Sequence, residues 1–447
     1  MLYYLFEWLD KAYNVPGVGV IKYISFRSAC CFVSSLLIML LCGKPFIRWI
    51  GNRLHMNDVV RTELGLEGAA AKSKTPTMGG LLIIAAIVLP TLLFTKLDNI
   101  YILTMLGTTL WLGFIGFLDD YMKKTVSKKG LAGKYKVIGQ VVLGLVVGLL
   151  IVSHPDIVTK TTDTDIATAK TTNTDIATTK TTIPDIATTE TTHLDIVTIQ
   201  NTNSDSDTNK IQFSTPKTTI PFVKNNEFDY AWLVSWMGDW ARQWSWIVYV
   251  IVAILVVTAV SNAANLTDGI DGLASGVGAT IGGALAILAW LSGNIIMAKY
   301  LNITYLENIG ELTMFIASFV GALLGFLWFN SHPAQIFMGD TGSLTIGGVV
   351  AVFALLIHKE LLLPLLCGIY LVEDLSVIHQ TAFCKIYRKR HRLAPNEIVP
   401  VEKRPYRMTP LHHHFQKQGQ AEEKVVQRFI IVSVLLAIVS IVTLKLR

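Results

Sequence analysis

Runs of mostly apolar residues recur along the chain, each cut off by a polar or glycine-rich turn. Crossing a bilayer takes about 20 such residues in a helix. Ten runs meet or approach that length: roughly 25–43, 79–95, 100–118, 136–153, 246–262, 273–292, 312–329, 343–358, 361–379 and 427–444. The pattern predicts an all-α polytopic membrane protein with ten transmembrane helices. The first run follows Lys11, Lys22 and Arg27 and has no small-residue cleavage site, so it reads as a retained span rather than a signal peptide.

Composition agrees with the pattern. Charged residues make up 16% of the 447 positions, where a soluble domain carries about 25%. The 52% hydrophobic content excludes disorder over most of the length. Cys30, Cys31, Cys42, Cys367 and Cys384 are odd in number, and three lie in or beside one apolar run, so no disulfide framework is expected. The net charge of +6 gives no reason to expect nucleic acid. Where the charges sit matters more. Basic residues gather in the loops after span 1 (Lys44, Arg48, Arg53, Arg61, Lys72, Lys74), span 3 (Lys123, Lys124, Lys128, Lys129, Lys134) and span 9 (Lys385, Arg388, Lys389, Arg390, Arg392, Lys403, Arg404, Arg407). Cytoplasmic loops carry the excess of Lys and Arg. All odd-numbered loops are therefore expected in the cytoplasm, with both termini outside. The loops after spans 5 and 7 hold no Lys or Arg, so their side follows from counting spans.

One loop is foreign to this pattern. Residues 161–200 repeat every ten, as TTDTDIATAK, TTNTDIATTK, TTIPDIATTE and TTHLDIVTIQ. Such a Thr-rich tract buries too little apolar area to offset its ordering entropy. It reads as a tolerated insertion on the outer face, with an exposed stalk as the other reading. The chain thus divides into 1–154 (spans 1–4), the insertion 155–228, and 229–447 (spans 5–10). Trp232, Trp236, Trp240, Trp244 and Trp246 follow the insertion and suit an interfacial aromatic belt.

Five polar clusters border the spans, all on the expected cytoplasmic side. Ionisable groups at membrane depth are costly and usually functional. Asp119 and Asp120 end span 3 in GFLDDYMKK, either as charge that stops a span or as ligands of a cation–phosphate site. Lys123, one turn on, can pair with Asp119 or meet phosphate. NLTDGIDGLA carries Asn265, Asp268 and Asp271, with Asn262 a turn earlier, and is either a polar turn or a substrate loop. FNSHPAQIFMGDTGS offers Asn330, Phe337, Asp340 and Ser343. Asp340 between two glycines suits a metal ligand, a helix N-cap, or both. TPLHHHF brings His412, His413 and His414. Zinc spacing is absent, so phosphate binding or acid–base work fits better than a metal, with solvated histidines as the bland reading. KSKTPTMGG places Lys72 and Lys74 at the mouth of span 2, as anionic head-group contacts or as ordinary flanking charge. Carboxylates, lysines and imidazoles at one membrane face favour phosphoryl transfer. Mg²⁺ takes one or two carboxylates plus substrate phosphates, and catalysis is then mostly charge and positioning.

TPTMGG, GFLDDY, NLTDGIDGLA, FMGDTGS and PLHHHF, in this order, resemble the phospho-N-acetylmuramoyl-pentapeptide transferases of bacterial cell-wall synthesis. FLWFN and the C-terminal TLKLR match as well. The resemblance covers nearly the whole chain except about 155–228 and an expanded stretch near 384–404. It implies a multi-pass enzyme of the bacterial cytoplasmic membrane, typically a homodimer, with a cytoplasmic active site. It implies transfer of phospho-MurNAc-pentapeptide from UDP-MurNAc-pentapeptide to undecaprenyl phosphate, a membrane lipid, with Mg²⁺, giving lipid I and UMP. By the same resemblance Asp340 matches the metal ligand, Asp119 and Asp120 the paired acids, and His412 to His414 the essential histidine run. Asn262, Asn265 and Asp268 match positions near the uridine and diphosphate, and Asp271, Asn330 and Phe337 are further substrate-binding candidates. Lys72, Lys123 and Lys136 match basic residues lining the site. The chain departs from the family at Gln416, where an acid is common, and in the longer basic stretch before the histidines.

A sister transferase taking a UDP-N-acetylhexosamine without the peptide would share the acids, but PLHHHF and TPTMGG favour the peptidoglycan branch. A cation transporter would also carry intramembrane acids, yet no inverted repeat is present and the acids gather at one face. The repeat tract lies on the opposite face from every cluster, so excision of residues 156–210 is expected to leave transfer activity intact. A folded but inactive deletion would contradict this reading.

Overall fold

The computed structural model describes residues 1–13, 18–54, 75–126, 130–154, 217–220, 227–238, 244–301, 303–394 and 397–445. A helix too short to span, α1 (Leu2–Tyr13), precedes the first apolar helix, α2 (Ile24–Trp49). Then come α3 (Gly80–Phe94), α4 (Ile100–Thr125), α5 (Gly133–Ser153), α6 (Ser245–Thr267), α7 (Leu273–Ser292) and α8 (Ile295–Leu301). They are followed by α9 (Gly310–Asn330), α10 (Gly339–Leu356), α11 (Leu363–Leu366), α12 (Gly368–Arg390), α13 (Leu411–Gln416) and α14 (Glu422–Thr443).

Among the described residues, eight helices are long and apolar enough to cross a membrane: α2, α4, α5, α6, α7, α9, α10 and α14. The two remaining predicted runs behave differently. The run at 79–95 forms α3, an apolar helix of only 15 residues. The run at 361–379 is broken, its halves meeting at 78°. Pro364 lies in the first turn of α11, which closes after Leu366, and the chain restarts at Gly368 as α12.

The hub is α10, in which every residue from Thr341 to Leu356 is buried. It packs against α3, α4, α6 and α7. Small residues allow this, as they do where membrane helices meet closely. A Cβ on Gly80 would lie 2.2 Å from the Gly342 nitrogen, and one on Gly116 would lie 2.4 Å from the Asp340 carbonyl oxygen. One on Gly347 would lie 2.5 Å from the Val260 carbonyl oxygen. Backbone therefore touches backbone on three sides of α10. The helices α2 and α14 are the least buried spans and turn large apolar side chains such as Leu37, Leu41, Ile431 and Leu435 outward.

Strands β1 (Lys217–Thr219) and β2 (Glu227–Asp229) pair antiparallel, Thr218 opposite Phe228. The Thr219 nitrogen and Thr218 hydroxyl both donate to the His358 carbonyl, each at 3.0 Å, where α10 ends. The last part of the predicted insertion is thus joined to the bundle, while the decapeptide repeats lie outside the described residues. Nearby, Tyr230 donates to buried Glu360 at 2.7 Å and buried Lys359 to Thr219 at 2.6 Å.

One buried ion pair ties the starts of α2 and α9. Arg27 meets Glu311 through both terminal guanidinium nitrogens, at 2.8 and 3.0 Å, and the Lys96 backbone nitrogen donates to the same carboxylate at 2.9 Å. Removing one partner of a buried pair leaves the other charge uncompensated. Glu311→Ala is expected to destabilise the protein by about 3–5 kcal/mol, read as a lowered midpoint of thermal unfolding in detergent. An unchanged midpoint would contradict it.

Candidate active site

The end of α4 and the start of α10 meet through Asp120. Its carboxylate accepts from the Asp340 nitrogen (3.1 Å), the Thr341 nitrogen (2.9 Å) and the Thr341 hydroxyl (2.7 Å). These are the orphan donors of a helix N-terminus, where a negative charge is favoured. This corrects one expectation. The residue capping α10 is Asp120, supplied by another helix, and not Asp340, whose own side chain makes no cap. Gly339 makes room for the arrangement. It has a φ of +69°, and a Cβ there would sit 2.5 Å from Asp120 Oδ2.

Because the cap is filled from α4, the Asp340 carboxylate is left to face cations. Lys123 Nζ lies 2.8 Å from Asp340 Oδ1 and 2.6 Å from Asp119 Oδ2. Lys136, in the first turns of α5, contacts Asp340 Oδ2 and stands 3.0 Å from Asp119 Oδ2. Asp119 also accepts from the Leu131 nitrogen at 2.8 Å, which pins the loop between α4 and α5. One ligand oxygen from each of Asp119, Asp120 and Asp340 falls within 4.8 Å of the others. Three carboxylates against two ammonium groups leave a net negative cluster with oxygen donors only. That donor set fits a hard divalent cation.

The polar ring continues through two more helices. Asn265 donates to Ser343, one turn beyond Asp340, at 2.8 Å. Asn262 donates to Gln140 at 2.8 Å, and Gln140 lies one turn beyond Lys136 on α5. The ends of α4 and α6 and the starts of α5 and α10 therefore close on one another at one end of the bundle.

The remaining candidates gather at the same end through the turns that follow α6 and α9. Asp268 closes α6 and is half-buried. Asp271 Oδ2 accepts from the Ala334 nitrogen at 3.1 Å and lies 3.0 Å from His332 Nδ1. The Asp271 nitrogen donates to Glu422 at 2.8 Å. Asn330 is buried and acts as a bracket: it accepts from the Gly272 nitrogen (3.1 Å) and the Ser275 hydroxyl (3.2 Å), and donates to the Ile336 carbonyl (2.9 Å). Phe337 is half-buried, and its backbone bonds both Pro76 and Gly79, joining the TPTMGG segment to the start of α10. Lys72 and Lys74 lie outside the described residues.

The three histidines do not converge. Successive side chains of a helix turn by about 100°, and each imidazole of α13 finds its own partner. His412 is fully buried against Glu373, His413 pairs with Gln416 (2.8 Å), and His414 accepts from the Arg407 nitrogen (3.1 Å). Partial burial, and then the Arg407 guanidinium, hold the His414 imidazole below its ordinary pKa. A shared metal on the histidines finds no support in this geometry.

Several partners escape the sequence reading. Gln140 and Thr341 look like ordinary span residues. Glu373 and Asp374 sit inside an apolar run, and an acid at that depth is the signal that could have found Glu373. His332 and Glu422 become visible only once the turns meet.

Together the fold and the ring define a polytopic membrane protein with a carboxylate–lysine centre at one end of its helix bundle. A family model described as glycosyl transferase family 4 matches residues 218–358, and a phospho-N-acetylmuramoyl-pentapeptide-transferase signature matches residues 72–84. Proteins named phospho-N-acetylmuramoyl-pentapeptide-transferase from Flavobacterium psychrophilum and Flavobacterium johnsoniae are each 49% identical to the chain, and one from Bacteroides thetaiotaomicron is 44% identical. Each alignment covers 100% of both proteins. The chain belongs to the phospho-N-acetylmuramoyl-pentapeptide-transferase family.

Gly339→Ala is expected to disrupt the centre, because a side chain there needs an unfavourable positive φ and displaces the Asp120 carboxylate. The backbone strain alone costs about 1–2 kcal/mol. A lowered unfolding midpoint in detergent, with loss of activity, is the expected result; a variant equal to the parent protein would contradict the assignment of Asp120 as the cap.

Proposed function

We propose that the protein transfers phospho-N-acetylmuramoyl-pentapeptide from UDP-MurNAc-pentapeptide to undecaprenyl phosphate, giving lipid I and UMP. An oxygen of the lipid phosphate attacks the β-phosphorus of the nucleotide, and the bond from that phosphorus to the oxygen bridging to UMP breaks. The observation that carries this reading is the cluster of Asp119, Asp120 and Asp340, within 4.8 Å of one another and faced by Lys123 and Lys136.

The roles follow from the partners of each group. Asp120 is held by three donors from α10 and keeps the two helices in register. Asp340, held by ammonium groups, is the readiest to take a divalent cation, with Asp119 beside it. Mg²⁺ bound there would neutralise charge on the transferring phosphoryl group. Lys123 and Lys136 can exchange a carboxylate for a phosphate oxygen at little cost, since both are charge-assisted contacts. Asp119 is placed to orient the lipid phosphate or take its proton. Asn262, Asn265, Asp268 and Asp271 form the nucleotide side, next to the histidine segment.

We assign the chain ten spans, counting α3 as one and the bent pair α11–α12 as one. The basic loops support a position of the centre at the cytoplasmic face of the bacterial inner membrane. The outward apolar faces of α2 and α14 are available to lipid and to the second protomer of a homodimer.

The test is transfer of labelled phospho-MurNAc-pentapeptide to a polyprenyl phosphate by purified protein, with and without Mg²⁺. Asp340→Asn is expected to lower turnover by about a hundredfold or more, with the unfolding midpoint near that of the parent. Chelation of the parent protein should abolish turnover and added Mg²⁺ restore it. Full activity of the folded variant would refute the role of Asp340.

A further inference from the structure

Glu373 is a fully buried carboxylate six residues past the break at Cys367 between α11 and α12, and it belongs to no motif of the site. The 78° bend redirects α12 so that Glu373 meets the first turn of α13. Both of its oxygens contact one residue, His412. Glu373 Oε1 accepts from the His412 backbone nitrogen at 3.1 Å, and Glu373 Oε2 lies 3.1 Å from His412 Nδ1. An ionised carboxylate only accepts hydrogen bonds, so Nδ1 must carry the proton. In the neutral ring Nε2 is then a bare acceptor. Nε2 is buried with no hydrogen-bond partner among the described residues. It faces the turn after α6: a Cβ on Gly269 would lie 2.2 Å from it, which only a glycine avoids. That turn carries Asp268 and Asp271. An unpaired buried acceptor is costly and calls for an explanation.

We propose that Glu373 is a positioning residue for the transfer reaction, locking His412 as the Nδ1–H tautomer so that Nε2 presents a lone pair to the 268–271 turn and accepts an N–H or O–H donor when the nucleotide substrate engages that turn. The kinetic part rests on the transferase reading; the tautomer lock does not.

The geometry makes the conservative variant informative. In Glu373→Gln the single amide oxygen must serve the backbone N–H, which cannot give up its proton. The amide NH₂ then faces Nδ1 and forces the proton onto Nε2. The variant keeps the shape of the contact and inverts the tautomer.

The experiment is ¹⁵N NMR of the full-length protein labelled at histidine, with the His412 signals assigned by His412→Gln, together with steady-state kinetics. The parent protein should show a protonated Nδ1 and a bare Nε2 at His412, and Glu373→Gln the reverse. The variant should raise KM for UDP-MurNAc-pentapeptide about tenfold, the size of one lost hydrogen bond, with kcat changed much less. Glu373→Asp, which keeps two acceptors, should restore the parent tautomer. A protonated Nε2 in the parent would overturn the lock, whether or not any variant folds. An inverted tautomer with unchanged KM would overturn the positioning role. A parent protein with no transfer activity would instead sink the transferase reading, and the NMR result would still decide the lock.

Discussion

The structure depends on one interaction above the others: the docking of Asp120 under the amino-terminal end of α10. A helix start inside an apolar bundle exposes N–H groups that lipid cannot satisfy. Here a carboxylate from a neighbouring helix satisfies two of them and gains from the helix dipole in turn. Gly80, Gly116, Gly342 and Gly347 then let backbone meet backbone along α10. The most buried of the described spans thereby begins at the carboxylate–lysine cluster.

That junction sets the electrostatics of the centre. With Asp120 committed to backbone donors, Asp119 and Asp340 are the carboxylates that face exchangeable partners. Lys123 and Lys136 hold the cluster together without cancelling it. In the proposed reaction the site is preorganised for charge that would arrive with its ligands, a divalent cation and phosphates, rather than for charge it creates itself. Preorganised groups of this kind act without reorganising at the moment of reaction.

Much of this was legible along the chain. Hydropathy located helical segments at all ten runs, eight of them helices long and apolar enough to cross a membrane, because a membrane span imposes its length on the sequence. The motifs around Asp119, Asp120, Asn265 and Asp340 stood out because acids at membrane depth need a reason. What stayed hidden was pairing. Whether Asp340 or another residue capped α10 depended on which helix approached it, and only the fold decides that. The break at Cys367 was masked by leucines on both sides of Pro364, which keep the run apolar. Glu373 passed as a residue of that span, and the bracketing of two turns by Asn330 showed only in the fold. Three adjacent histidines looked like one unit, yet helical geometry sends them to three partners.

The central claim is that segments far apart in sequence meet at one face of the membrane. It is tested most directly by single cysteines at Val126, Ser331 and Gln418, all exposed positions, in a background lacking the five native cysteines. With a membrane-impermeant maleimide, all three should react in inverted membrane vesicles and none in right-side-out ones. A position labelled only from the opposite side would separate its segment from the others and contradict the account.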